Sequence, residues 1–147
     1  MTKTMDQVRA ADALGKVKKL SDEAKGNSAY VDRNDKYAIY AKSLPATILM
    51  NGLGQAATSL LAKAEGSDAH KLLYMHLESW LCKGNSEVKA PYLGHDDLIE
   101  AIIGNSRESY LRAQAEALAW LAWLKKFAVA YLKKTDGGGN DASPVQD

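Results

Sequence analysis

Leu44-Pro-Ala-Thr-Ile-Leu-Met-Asn-Gly-Leu-Gly-Gln55 decides how this chain is read, because it places two glycines inside an otherwise amphipathic helical pattern. Pro45 suits the first turn of a helix, where an N–H would lack an intrahelical partner, and Leu44 before it is biased away from helical geometry. The spacing therefore predicts a helix from Pro45 to about Glu65. Leu49, Leu53, Ala56, Leu60 and Ala64 recur along it, and Ile48, Ala57 and Leu61 widen the apolar stripe. Gly52 and Gly54 interrupt that stripe. Each disfavours a helix interior by about 1 kcal/mol relative to alanine. Keeping both implies backbone left bare for close approach, and the long C-terminal helix is the expected neighbour. Gly52-Leu-Gly-Gln-Ala-Ala57 also fits the Gly-x-Gly-x-x-Ala dinucleotide fingerprint. That motif requires a βαβ unit, and no second strand follows within the next 30 residues.

Working outward, the rest of the chain also reads as helical. Thr4 and Gln7 form a capping box for a helix from about Met5 to Lys25. A shorter helix covers Asp35 to about Ser43. Ser67 or Asp68 can cap a fourth helix, Ala69 to Cys82, and a fifth runs from roughly Asp96 to Ile103. The last opens at an Asn105–Glu108 capping box and continues to about Lys134, on the order of 40 Å at 1.5 Å per residue. Its stripe is Tyr110, Ala113, Ala117, Trp120, Leu121, Leu124, Phe127, Ala128 and Tyr131. Lys25, Lys83 and Ile103 are each followed by Gly-Asn-Ser, which is stop-and-start chemistry between helices. The expected fold is all-α: a single-domain bundle of about six helices over residues 1–134, with a disordered tail at 135–147 that lacks apolar periodicity.

Composition narrows the class of function. At 147 residues and 46% hydrophobic, the chain is of a size and make-up to bury one core without staples. No apolar run approaches a membrane span, and the N-terminus carries no signal-peptide core, so a cytoplasmic protein without membrane association is expected. Cys82 is the single cysteine and, beside Trp80 and Leu81, reads as a small buried hydrophobe. His70 and His76 are six apart and point to different sides of a helix; His95 reads as a surface residue. No metal-ligand spacing, nucleophile elbow or carboxylate pair stands out. Neither catalysis nor a cofactor is expected. Three of the 18 acids and none of the 19 Lys and Arg residues lie in 135–147, so the helical body carries +4. Arg9, Lys16 and Lys19 share one face of the first helix, away from Leu14 and Val17. Arg112, Trp123, Lys126 and Lys133 fall on one line of the last helix, outside its core stripe. A tryptophan on a charged face suggests a contact surface.

Val8-Arg-Ala, Tyr37, Lys42, Leu44-Pro-Ala-x-Ile48, Asn51-Gly-Leu-Gly-Gln55, Tyr110-Leu-Arg-Ala-Gln-Ala-Glu-Ala-Leu118 and Trp123-Leu-Lys-Lys-Phe-Ala128 occur here in order. From about Val8 to Ala130 this pattern resembles the small subunit of the type III-B CRISPR effector, the Cmr complex. The resemblance implies a non-catalytic helical subunit, stacked in more than one copy against a repeated backbone subunit and a large subunit. It would line the groove where guide RNA pairs with target RNA, touching phosphates while base pairing reads the sequence. Arg9 and Arg112 match the family pattern best, followed by Lys42, Lys125 and Lys126. Together with Lys16 and Lys19 they form the expected RNA-facing set. The rival reading is a helical adaptor that binds protein without touching RNA. A helix-turn-helix DNA reader is disfavoured, since no short helix pair carries a base-reading cluster.

Overall fold

A computed structural model describes residues 2–133, which form six helices and no strand within that range. They are α1 (Met5–Glu23), α2 (Ser28–Asn51), α3 (Leu53–Ala64), α4 (Asp68–Cys82), α5 (Leu98–Gly104) and α6 (Arg107–Leu132). The expected disordered tail and the last residue of the expected C-terminal helix lie outside the described residues.

Local signals set most helix starts. Thr4 and Gln7 close the expected capping box on α1. The Ser67 hydroxyl accepts from the His70 amide at the head of α4, and Asp97 from the Glu100 amide at the head of α5. Ser106, not Asn105, caps α6 by accepting from the Ser109 amide. Asn105 instead closes the preceding helix, its side-chain amide donating to the Ala101 carbonyl.

The middle of the chain departs from expectation. The second helix starts at Ser28 under an Asn27 cap, which accepts from the amides of Ala29 and Tyr30. It then runs through Pro45 and stops only at Gly52, so the helices expected at Asp35–Ser43 and Pro45–Glu65 are divided at the glycine instead of the proline. A proline removes one helical hydrogen bond. Ala41, Leu44 and Ile48 on either side are buried on one face, and that continuous burial outweighs the missing bond. Gly52 adopts φ +89°, open to glycine at little cost, and turns the chain into α3.

Helix α6 is the axis of the bundle. It runs parallel to α1, as the pairs Arg9–Glu116, Asp12–Trp120 and Lys18–Tyr131 show. It runs antiparallel to α2, whose C-terminal end meets Tyr110 and Gln114. Helix α4 packs across α2 and α3 and brings Trp80 beneath α6. The core is continuous, with Trp80, Trp120, Tyr37, Ile48, Leu73, Leu77, Leu121 and Leu124 among its largest fully buried side chains.

Candidate nucleic-acid interface

The seven basic residues expected to face RNA divide into two groups. Arg9 and Lys16 do not stand on a free face, contrary to the helical-wheel reading. Arg9 makes a forked pair with Glu116, Nε to Oε2 at 2.7 Å and Nη2 to Oε1 at 2.9 Å, and also reaches Asp6. Hydrogen bonding to Glu116 raises the guanidinium above its ordinary pKa. Lys16 pairs with Asp12 and lies over the rings of Trp80 and Trp120, at 5.9 and 5.2 Å from their centroids. Burial lowers the Lys16 amine, and the bond to Asp12 opposes that shift.

These two cations belong to one partly buried arrangement around two buried indoles. The indoles of Trp80 and Trp120 stack at 6.4 Å with an interplanar angle of 11°. Trp80 Nε1 donates to Glu116 at 3.0 Å, and Trp120 Nε1 donates to Asp12 at 2.9 Å. Each carboxylate therefore takes one indole N–H and one cation, which ties α1, α4 and α6 together. Nearby, Tyr37 Oη and His76 Nδ1 lie 2.6 Å apart. Burial drives the Tyr37 phenol far above its usual pKa, so it keeps its proton and donates to Nδ1. Burial, then the charges of Lys16, Lys19 and Arg33, push His76 down to about 4.

The other residues face outward. Lys42 of α2 and Lys125 and Lys126 of α6 line one shallow groove together with Val129 and Ala130. Among the described residues, none of these three amines has a carboxylate partner. Lys19 is exposed on α1. Arg112 is exposed on α6, about 20 Å along the helix from Lys126, and donates through Nη2 to the Pro91 carbonyl at 3.2 Å. The structure therefore unites Lys42, Lys125 and Lys126, while Lys19 and Arg112 lie outside that groove.

Two features were missed in the sequence. Val129 and Ala130 fall on the open side of α6, and their position beside Lys126 on the helical wheel was the available signal. Lys18 sits over the ring of Tyr131 at 5.9 Å, and Tyr131 continues the aromatic row Trp123–Phe127–Tyr131. No pattern within α1 or α6 alone could announce the Lys18 contact.

A family model described as "CRISPR-associated protein (Cas_Cmr5)" matches residues 5–131, nearly the whole described bundle. The crystal structure of a CRISPR-associated Cmr5 family protein from Thermus thermophilus is 29% identical, with a TM-score of 0.65. The similarity covers 90% of this chain and 100% of that one. Sequence order, helical architecture and this likeness agree, and the chain belongs to the Cmr5 family, the small subunits of the CRISPR Cmr complex.

Proposed function

We propose that this chain is a non-catalytic, RNA-binding structural subunit of a type III-B CRISPR interference complex in the cytoplasm. It helps hold guide RNA and target RNA through Lys42, Lys125 and Lys126. The observation that carries this reading is that Lys42 of α2 and Lys125 and Lys126 of α6 line one shallow groove. Lysines so placed neutralise phosphates without reading bases, as a subunit holding arbitrary guide sequences requires. Lys19 and Arg112 extend the basic surface, while Arg9 and Lys16 orient the helices that present it. Partners are the repeated backbone subunit, the large subunit and further copies of this chain.

The test is salt-dependent binding of single-stranded RNA by the full chain and by a Lys42→Ala/Lys125→Ala/Lys126→Ala variant. The slope of log affinity against log salt should flatten by about 2, at roughly 0.7 for each phosphate that is no longer neutralised. An unchanged slope overturns the assignment.

One observation favours the second reading, a protein-docking adaptor. Leu49, Met50 and Ile103 are 70%, 83% and 78% exposed. They flank the junction where Gly54 meets Ile102 and Tyr110. Apolar surface of this kind suits contact with a neighbouring subunit. A variant carrying serine at these three positions that still joined the complex would remove that support.

A further inference from the structure

Beside the Lys42–Lys125–Lys126 groove, α6 carries a row of rings at helical spacing, Trp123, Phe127 and Tyr131, that the core covers only in part. Trp123 and Phe127 are half-buried, and Tyr131 is 47% exposed. Neighbouring centroids lie 5.9 and 6.4 Å apart. The row adjoins the groove, since Trp123 with Lys126 and Phe127 with Ala130 are i, i+3 neighbours on one helix. On its other side stands Lys18 of α1, 5.9 Å from the Tyr131 centroid. We propose that this row is a stacking platform for unpaired bases of single-stranded RNA, with the strand's phosphates on the lysines that flank it. Such a platform rests on the RNA-binding function proposed above and adds to it a contact with the bases themselves.

Charge selects the occupant. Residues 13–21 of α1 and 117–133 of α6 belong to helices packed side by side, and together they contain six lysines and no acidic residue. Lys16 is committed to Asp12. The other five give this end of the helix pair a positive field. An apolar protein partner gains little from that field, whereas a polyanion with π-faces matches both the amines and the rings. The distances suit one nucleotide. Lys126 and Phe127 are consecutive, so amine and ring leave a helix about 10–12 Å wide at about 100° to each other, roughly 8 Å across its surface. A phosphate seated on Lys126 can therefore bring its own base to the aromatic side. Every base offers a π-face, so stacking tolerates any guide or target sequence. It does require that face to be open, and pairing within a duplex buries it. The platform thus serves unpaired nucleotides and leaves a duplex to the lysines alone.

The test compares the full chain's affinity for a 20-nucleotide oligouridylate and for an abasic ribose-phosphate strand of the same length and charge. Oligouridylate should bind about tenfold more tightly. Tyr131→Ala should lose about three- to tenfold of that affinity, with the abasic strand's affinity and both salt slopes unchanged. Tyr131→Phe keeps the ring and should stay within about twofold of the parent. Oligouridylate should also quench the fluorescence of Trp123, the least buried of the three tryptophans, and Trp123→Phe should abolish that signal. An equal loss on both strands in Tyr131→Ala overturns the platform. If the parent binds both strands equally, phosphate binding stands and the platform alone falls; if it binds neither, the RNA function falls with it. Equal affinity for the two strands, together with loss of Tyr131→Ala from the assembled complex, hands the row to a neighbouring subunit instead.

Discussion

The Tyr110 hydroxyl accepts a hydrogen bond from the Gly54 amide at 3.0 Å, and this contact makes the glycine pair intelligible. Helix α3 has no side-chain cap of its own. Its first amides are satisfied from α6, by Tyr110 at Gly54 and by the Gln114 side chain at Leu53, 2.9 Å away. The break in the α2–α3 stripe is thus a place where one helix end is capped by another helix.

The two glycines are not equivalent, and alanine at each should separate their roles. A Cβ at Gly52 would lie 2.9 Å from Tyr110 Oη, on a backbone at φ +89°. Gly52→Ala is expected to cost about 2 kcal/mol or more. At Gly54 the nearest atom is Ile102 Cγ2 at 3.6 Å, an ordinary contact, with no positive φ. Gly54→Ala should be neutral or stabilising by up to about 1 kcal/mol. Urea unfolding of both variants decides the matter; equal destabilisation would contradict this division.

What could be read beforehand was local. The Thr4–Gln7 box, the Ser67 cap and the α6 stripe through Ala113, Ala117, Trp120, Leu121, Leu124 and Ala128 depend on neighbours a few residues apart, and the structure contains them. The close approach of α6 to Gly52 and Gly54 followed from the absence of two side chains. Pro45 misled because the propensity rule ignores the burial of Ala41, Leu44 and Ile48. Arg9 and Lys16 misled for a different reason. Periodicity places both on one face of α1, but it cannot reveal that Glu116, 107 residues away, and the two indoles meet them there.

Glu116 is expected to be the most sensitive polar position in the bundle. Glu116→Ala leaves Arg9 and the buried Trp80 N–H without their acceptor, costing about 3 kcal/mol. In that background Arg9→Ala should cost much less than in the parent. Denaturant midpoints for the four-member cycle would measure the coupling, and strict additivity would show that the forked pair contributes nothing.

Stability should fall in mild acid through His76. Its folded pKa of about 4 lies below the ordinary 6.5, so the unfolded chain binds more protons between those values. The contribution is complete above pH 6.5 and is lost as pH falls toward 4, by up to about 3 kcal/mol. Protonation also removes the Nδ1 lone pair that accepts from Tyr37. His76→Asn keeps an acceptor without a titrating group, so its unfolding free energy should depend less steeply on pH from 7 to 5. Parallel pH profiles for parent and variant would refute this role.

Arg9 and Lys126 provide the sharpest contrast between scaffold and surface, because both were expected on sequence grounds to touch RNA. Arg9 is committed to Glu116 and Asp6, whereas Lys126 is exposed beside Lys42 and Lys125. Arg9→Ala should therefore lower the melting temperature by several degrees, corresponding to about 1–3 kcal/mol. At a temperature where the variant remains folded, its salt slope for RNA binding should equal that of the parent. Lys126→Ala should show the reverse: an unchanged melting temperature, since exposed amines contribute little to stability, and a slope reduced by about 0.7. Calorimetry and filter binding on the same preparations separate the two. A flattened slope for Arg9→Ala with native stability would move the phosphate contact from the α2–α6 groove to α1.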